Sequence, residues 1–383
     1  MRIFHLSDLH IGLKLMNHDL SEDQRHILSE IVKLAAERHP DAVVIAGDIY
    51  DKSVPSAEAV SLFDYFVTEL SRKVPQAKIM MISGNHDNAE RINVFRSVLE
   101  RQNIYMIGRP PELPGERIKK VSLQDAHGVV NFYLLPFVKP SMVKLLTGTD
   151  KDGSNLSYDA AVHSLIEREE LDEAARNVLV SHQFYLSMGR DEAIERSPSE
   201  MVTVGNIDSV QGDILERFDY AALGHIHKAQ RLNGRDCFRY CGTPIACSFA
   251  EEGQQKGVVE VTLGAKGDVG IEVLPLVPLH QVRTLHGTLA QILAEPSDDY
   301  VSITLTDAEA FPDADMRDRL EACFPNLLHA GREQGDVPDY EIGQEKAVQL
   351  SPFALCREFL QGLEEEEAAL LGKIINEVRE ESK

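Results

Sequence analysis

Residues 42–48 read Ala-Val-Val-Ile-Ala-Gly-Asp: five apolar residues, then a glycine and a carboxylate. A short, wholly apolar run of this kind predicts a strand that is buried on both faces, as in a parallel sheet. Apolar residues recur at helical spacing before it, over 21–38, and after it, over 57–72. Residues 88–101 also predict a helix. The alternation of strand, loop and helix predicts an α/β core built in layers.

Four other predicted strands also run directly into polar motifs. The strands cover residues 2–6, 78–82, 177–180 and 220–223, and the motifs that follow them are Asp8-Leu9-His10, Gly84-Asn85-His86-Asp87, Ser181-His182 and Gly224-His225-Ile226-His227. Alone, each motif is as often a turn or a structural histidine as a site. Because the carboxyl ends of strands in an open α/β sheet share one crevice, five motifs at five strand ends predict a single site.

The strand ends carry seven side chains that could bind metal: Asp8, His10, Asp48, Asn85, His182, His225 and His227. Carboxylate, imidazole and amide oxygen together suit Mn²⁺, Fe²⁺ or Zn²⁺ rather than a soft thiolate site. Two cations about 3.5–4 Å apart need a group between them, and Asp48 in the central motif is the candidate bridge.

The bulk composition predicts a globular, cytoplasmic protein. The 383 residues are 43% hydrophobic, with no apolar run long enough to span a bilayer and no signal core at the N-terminus, so no membrane association is expected. The five cysteines form no CxxC pair, which indicates free thiols and argues against a structural zinc site. The net charge of −23 speaks mildly against tight, unaided binding of DNA, although metal ions or a partner protein can supply the positive charge.

The pattern beyond the first half predicts three domains, at 1–276, 277–347 and 348–383. Strands 118–123 and 129–135 flank a hairpin turn, 156–170 is a helix, and 183–216 is mostly loop. Residues 280–345 form a small α+β unit with strands at 282–287 and 300–305 and a short helix between them. Residues 352–381 follow one amphipathic helical pattern, interrupted by the acidic run at 364–367.

In this order, the five motifs resemble those of the calcineurin-like metallophosphoesterases, over roughly residues 1–275. The resemblance implies a layered β-sandwich flanked by helices. It implies that Asp8, His10, Asp48 and His227 bind one metal ion and that Asp48, Asn85, His182 and His225 bind the other. His86 would be the catalytic proton donor, and Asp87 would orient it.

The resemblance also implies a mechanism: two divalent cations activate a water that attacks the phosphodiester, while His86 protonates the leaving group or neutralises the phosphoryl oxygens. No GxxxxGK[ST] loop is present, so the chain itself is not an ATPase.

Flanking residues narrow the resemblance to the SbcD-type nucleases, the bacterial branch of the double-strand-break repair nucleases. The stretches are HLSDLHIG, AGDIYDKSVPS, SGNHDNAER, LLPF, LGHIHKAQ and YCGTPIACSF. They imply a Mn²⁺-dependent DNA exonuclease and endonuclease at the bacterial nucleoid. The small α+β unit would be a cap over the DNA, the core would form a homodimer, and the C-terminal helix would dock on an SbcC-type coiled-coil ATPase.

The sequence departs from the family pattern at three positions. Asp51 lies where archaeal and eukaryotic relatives have a second histidine, which puts a direct phosphate contact there in doubt; a solvated turn residue is the alternative. Cys241 and Thr243 lie where serine is common.

Two other functions remain open from the sequence. One is a small-molecule phosphodiesterase or phosphatase on the same core, which the acidic excess favours. The other is a scaffold without catalysis, against which the complete set of polar ligands argues.

Overall fold

The protein is described by a computed structural model, which covers residues 1–151, 153–187, 194–195, 200, 208–232, 234–307, 314–332, 353, 356–357, 360 and 365–381. Within these residues, no helix combines the length and apolar character needed to cross a membrane.

Nineteen strands are present among the described residues. They are β1 (Arg2–Leu6), β2 (Lys14–Leu15), β3 (His18–Asp19), β4 (Ala42–Ala46), β5 (Lys78–Ile82), β6 (Ile104–Ile107), β7 (Lys119–Asp125), β8 (Gly128–Leu135), β9 (Arg176–His182), β10 (Phe184–Leu186), β11 (Ser209–Gln211), β12 (Tyr220–Gly224), β13 (Gln230–Leu232), β14 (Arg235–Tyr240), β15 (Gly257–Leu263), β16 (Val269–Pro275), β17 (Val282–Gly287), β18 (Tyr300–Leu305) and β19 (Leu327–Arg332).

The α-helices of the described residues lie mostly between the strands of the first half. They are α1 (Ser21–Arg38), α2 (Ala57–Lys73), α3 (Ala89–Ile92), α4 (Arg96–Leu99), α5 (Pro140–Thr147), α6 (Tyr158–Glu167), α7 (Leu289–Ile292), α8 (Ala314–Cys323) and α9 (Glu365–Glu381).

Two six-stranded sheets pack face to face to form the core. Their strand orders are β16-β15-β1-β4-β5-β6 and β13-β14-β12-β9-β8-β7. Side chains alternate between two environments along β4: Val44 packs between the sheets, while Val43 and Ile45 pack under the helices. Helices α1 and α2 cover the outer face of the first sheet, and α5 and α6 that of the second. The predicted layered α/β fold, a β-sandwich flanked by helices, is therefore confirmed.

Parallel pairing brings the predicted motifs together. Strands β1, β4 and β5 are mutually parallel neighbours in the first sheet, and β9 and β12 are parallel neighbours in the second. Their carboxyl ends lie at one edge of the sandwich. Within the first sheet, the main chain after β1 bonds to the main chain after β4 (Asp8 N to Gly47 O, 3.0 Å), and between the sheets His182 Nδ1 at the end of β9 lies 2.7 Å from the Ala46 carbonyl at the end of β4.

The helix predicted over 88–101 is wrong as a single element. Helices α3 and α4 are separate four-residue segments, because Phe95 adopts φ +58° between them. The Asn93 side chain accepts a hydrogen bond from the Gly108 amide (2.8 Å), which ties the break to the chain after β6.

The predicted cap region contains a third sheet with its own hydrophobic core. Its three parallel strands are ordered β17-β18-β19, and α8 packs on it through Met316 and Leu320. Strands β17 and β18 and the short helix α7 were predicted; β19 and α8 were not. The domain boundary at residue 276 remains a prediction, and the boundary at residue 347 lies outside the described residues.

The helix predicted over 352–381 is described only in part. Among the described residues, Leu360 lies in a bend and α9 covers Glu365–Glu381, which includes the end of the acidic run.

Candidate metal centre

The seven predicted ligands lie in one continuous cluster. His10 Nε2 lies 3.2 Å from His227 Nε2, and His182 Nε2 lies 3.3 Å from Asp48 Oδ2. Asn85 Oδ1 links the two other imidazoles, at 3.0 Å from His182 Nε2 and 2.9 Å from His225 Nδ1. The Asp8 carboxylate accepts a hydrogen bond from the His225 amide (3.1 Å). The sequence thus predicted the membership of this cluster.

The backbone at this cluster is strained. Asp8, His10, Asp48 and His225 all have positive φ, at 51°, 42°, 48° and 99°. Such conformations cost energy for residues other than glycine and persist where the surrounding structure enforces them, often at functional sites. The strand ends are therefore held in shapes that aim side chains at one point.

Burial and charge make the cluster attractive to cations. Asp8 and His182 are completely buried. Burial raises the pKa of Asp8 to about 6. Burial by itself lowers the pKa of His182, but the carboxylates of Asp48 and Asp8 outweigh it and raise that pKa to about 9. The carboxylates thus favour positive charge among them, whether a proton on His182 or a divalent cation.

The donor atoms fit divalent metal ions. His10 Nδ1 is buried and has no hydrogen-bond partner among the described residues, while the ring's other nitrogen converges with that of His227. Three groups of side chains bring potential ligand atoms within 4.8 Å of one another: Asp8, His10 and His227; Asp8, Asp48 and His182; and His10, Asp48 and His86. Asp8, His10 and Asp48 each belong to two of these groups, so the groups adjoin, as expected for two neighbouring ions.

His86 lies beside the cluster, half-buried. Its ring meets that of His10 edge to face, with centroids 4.8 Å apart. Its Nδ1 lies 2.9 Å from the carbonyl oxygen of Asp51. A carbonyl only accepts hydrogen bonds, so Nδ1 carries the proton of this contact and Nε2 is the nitrogen left for a substrate.

The prediction that Asp87 orients the His86 ring is corrected by these contacts. The Asp87 carboxylate accepts hydrogen bonds from three backbone amides, those of Ile49, Tyr50 and Gly84, at 2.9–3.0 Å. Burial raises its pKa to about 6. Asp87 therefore joins the loops after β4 and β5, and Asp51 supports His86 through its main chain.

Sequence reasoning missed the role of Gln24. The Ser-x-x-Gln pattern of Ser21 and Gln24 predicts a capping interaction at the start of this helix, but α1 has no side-chain cap. The buried Gln24 side chain instead donates to the carbonyl of His10 (2.7 Å) and accepts from the amide of Gly12 (2.9 Å). It thereby fixes the loop that carries Asp8 and His10. Polarity at a buried position of α1 was the available signal.

Glu251 was also missed. It is almost completely buried, and its Oε1 lies 3.4 Å from His227 Nδ1. Burial alone raises the pKa of this carboxyl, but its contacts with His227 and Lys256 reverse the effect and lower the pKa to about 2. A buried carboxylate thus stands behind one predicted ligand.

Comparison with known proteins gives two family matches. Residues 1–229 match the model of the calcineurin-like phosphoesterases, and residues 275–362 match the SbcD C-terminal domain model, described as the type 5 capsule protein repressor C-terminal domain.

Two solved structures are also similar. One is a dimetal phosphatase from Danio rerio, at 12% identity over 72% of this chain and 96% of that chain, with a TM-score of 0.39. The other is GAP50, the anchor in the inner membrane complex of Plasmodium, at 11% identity over 88% and 98%, with a TM-score of 0.37. Similarity at this level adds nothing to the family matches. The chain belongs to the calcineurin-like phosphoesterase family and, with its SbcD-type C-terminal domain, is a phosphodiester hydrolase of the SbcD type.

Proposed function

We propose that the chain is a Mn²⁺-dependent DNA nuclease that acts as a double-strand exonuclease and as a single-strand and hairpin endonuclease. The observation that carries the proposal is the convergence of the seven ligand side chains, with His86 beside them, in a chain with an SbcD-type C-terminal domain. We place it in the bacterial cytoplasm, at the nucleoid.

We assign the predicted ligands to two metal ions and His86 to the substrate. Asp8, His10, Asp48 and His227 would hold one ion, and Asp48, Asn85, His182 and His225 the other. When bound, two such ions polarise the phosphoryl group and lower the pKa of a water molecule. His86, held by the Asp51 carbonyl, presents Nε2 to the substrate; in its imidazolium form it stabilises charge on the phosphoryl oxygens and donates a proton to the leaving oxygen.

Partner binding is the second part of the proposal. On α9, Leu370 and Ile374 are 58% and 47% exposed and lie one turn apart, so the helix offers an apolar stripe. This stripe would dock on the coiled coil of an SbcC-type ATPase. Such a partner would also supply the DNA contacts that a chain of net charge −23 is poorly suited to make alone.

Self-association is supported at another surface. Val94, Phe95 and Val98, in and beside α4, are 52%, 74% and 60% exposed. Adjacent exposed apolar side chains of this size mark interaction surfaces more often than isolated ones do. We propose that they belong to the interface of a homodimer formed by the nuclease core.

One assay separates this function from the runner-up, a small-molecule phosphodiesterase. Wild-type protein and His86→Ala are incubated with Mn²⁺ and either linear DNA or a small phosphodiester. Metal-dependent cleavage of DNA that falls about 10²–10⁴-fold in His86→Ala supports the nuclease and the role of His86. If only the small diester is cleaved, even after addition of SbcC and ATP, the runner-up is correct.

A further inference from the structure

The two ring nitrogens of His227 face different environments. Nε2 points into the metal-ligand cluster, 3.2 Å from His10 Nε2. Nδ1 points the other way, 3.4 Å from Glu251 Oε1. A metal-binding imidazole needs a lone pair on the nitrogen that faces the ion, so its proton must lie on the other nitrogen. An acceptor behind Nδ1 fixes that tautomer.

Glu251 is itself held by three side chains, of which Ser248 Oγ donates to its Oε1 at 3.5 Å. Lys256 Nζ donates to its Oε2 at 2.6 Å, and Thr243 Oγ1 donates to the same oxygen at 3.1 Å. The side chain of Glu251 is fully buried and that of Lys256 is 9% exposed. The carboxylate therefore has little freedom to move.

The same residues also hold the main chain of His227. The Thr243 amide donates to the His227 carbonyl at 3.1 Å, and Lys256 Nζ reaches that carbonyl at 3.3 Å. Glu251, Thr243 and Lys256, all on the loop between β14 and β15, thus hold both the ring and the carbonyl of one predicted ligand.

The buried Glu251–Lys256 ion pair is not needed for stability, since apolar residues of the same volume stabilise a core as well or better. Its position directly behind a predicted ligand indicates a role in holding that ligand. Carboxylates that hydrogen-bond to metal-binding histidines orient the ring and raise its basicity.

We propose that Glu251, charge-balanced by Lys256 and braced by Thr243, is the positioning residue that fixes the tautomer and ring orientation of His227. The inference rests on the proposed metal centre. The Cys247 sulfur lies within 4.8 Å of potential ligand atoms of His227 and Glu251, so these three side chains could themselves hold a metal ion. The alternative that an experiment must exclude is therefore that Glu251 binds a metal ion directly.

The test is calorimetric titration of the metal-free, full-length protein with Mn²⁺, for wild type, Glu251→Ala and Glu251→Gln. We expect two ions per chain in every variant. Glu251→Ala should weaken one of the two sites about 10–100-fold. Glu251→Gln should fall between it and wild type, because the amide oxygen still accepts a hydrogen bond but carries no charge.

Asp125→Asn is the matched control. Asp125 pairs with the buried Arg176 (Nη1 to Oδ2, 3.1 Å) at the opposite end of β1 from the metal-ligand cluster, where it also contacts the N-terminal amine. This variant should lose stability but bind both ions as wild type does.

Three results would overturn the inference. Unchanged affinities in Glu251→Ala would show that the carboxylate does not position His227, and loss of a whole ion in both Glu251 variants would make it a ligand. If wild type binds no ion, the metal centre itself is wrong. Should Glu251→Ala fail to fold, Glu251→Gln decides alone: about fivefold weaker binding supports the inference, and wild-type binding overturns it.

Discussion

Glycines and aspartate at the strand ends contribute to the cluster in different ways. Gly47 and Gly84 leave room for the ligands of neighbouring strands: a Cβ at Gly47 would collide with the His182 ring, and one at Gly84 with the Asp48 carboxylate. Asp48 lies between them and accepts the strain of φ +48°. Close packing of the polar groups therefore needs both the missing side chains of the glycines and the strained backbone of Asp48.

Replacing Gly47 by alanine should damage the metal centre more than the fold. Gly47 has φ +91°, so alanine there is strained by about 1–2 kcal/mol, and its methyl group would also displace His182. We expect Gly47→Ala to weaken Mn²⁺ binding at least about tenfold, since His182 is one of the few ligands of its ion. Calorimetric titration measures the change.

Gly128→Ala is the control for backbone strain alone. Gly128 has φ +106° at the first residue of β8, and a Cβ there would meet nothing within 4 Å. It should lose a similar amount of unfolding free energy but keep wild-type metal affinity. Equal losses of affinity in the two variants would mean that strain, not collision with His182, is responsible.

The sequence predicted which side chains cluster at the strand ends but not the residues behind them. Predicted ligands such as Asp8 and His225 stand directly after apolar strands, so local pattern and parallel pairing are enough to bring them together. Gln24 and Glu251 act through contacts with loops that lie far from them in the sequence or fold irregularly. No periodic pattern encodes such contacts, and the role first given to Asp87 was wrong for the same reason.

At the scale of strands and helices, one buried arginine joins several elements. Arg176, at the start of β9, is 2% exposed and bonds to Asp125 of β7 and to the carbonyl of Gly128. It also bonds to the carbonyls of Leu263 and Gly264 at the end of β15. The N-terminal amine lies 2.9 Å from the same Asp125. The two sheets are thus tied together at the end remote from the metal-ligand cluster.

This junction should make stability depend on pH on the acid side. The hydrogen bonds from Arg176, together with the N-terminal amine, hold the pKa of Asp125 well below its usual range. Its contribution is therefore present above the unfolded-state pKa of about 3.9 and is lost as the pH falls further. Urea unfolding between pH 3 and 7 should show Asp125→Asn to be about 1–3 kcal/mol less stable at neutral pH.

The difference between wild type and Asp125→Asn should shrink as the pH falls below about 4. A constant difference across the range would contradict the assignment, because it would show that the charge of Asp125 contributes nothing.

Most elements of the core were predictable and the interrupted ones were not. The bounds of α1, β4 and β5 agree with the sequence pattern because each has a clear helical or apolar strand period. The break between α3 and α4 was missed because residues 88–101 keep good helical spacing, while the φ of Phe95 depends on the tertiary contact of Asn93.

For the molecule as a whole, the junction between the sandwich and the third sheet centres on Asp23. This residue of α1 is 1% exposed and accepts hydrogen bonds from the Tyr300 hydroxyl (2.6 Å) and from His280 Nδ1 (3.0 Å). Tyr300 begins β18, and His280 precedes β17. This buried carboxylate therefore helps to position the third sheet against the sandwich, together with the packing of Val282 and Tyr300 on Leu15 and Leu20.

Removing this carboxylate should loosen the third sheet. Asp23→Ala leaves the buried Tyr300 hydroxyl without its acceptor, at a cost of about 1–3 kcal/mol, and also removes the partner of the partly exposed His280 ring. Hydrogen exchange should speed up in β17 and β18 while β4 and β9 stay protected. Glu22→Ala, at the exposed neighbouring position, should change stability by less than about 0.5 kcal/mol. Equal exchange in both variants would contradict the role of Asp23.

The measurement that tests the central claim most directly is anomalous diffraction from crystals grown with Mn²⁺. Two peaks about 3.5–4 Å apart at the ends of β1, β4, β5, β9 and β12, with the Asp48 carboxylate between them, are the result that the metal centre predicts. A single peak, no peak, or two peaks that do not share Asp48 would contradict it.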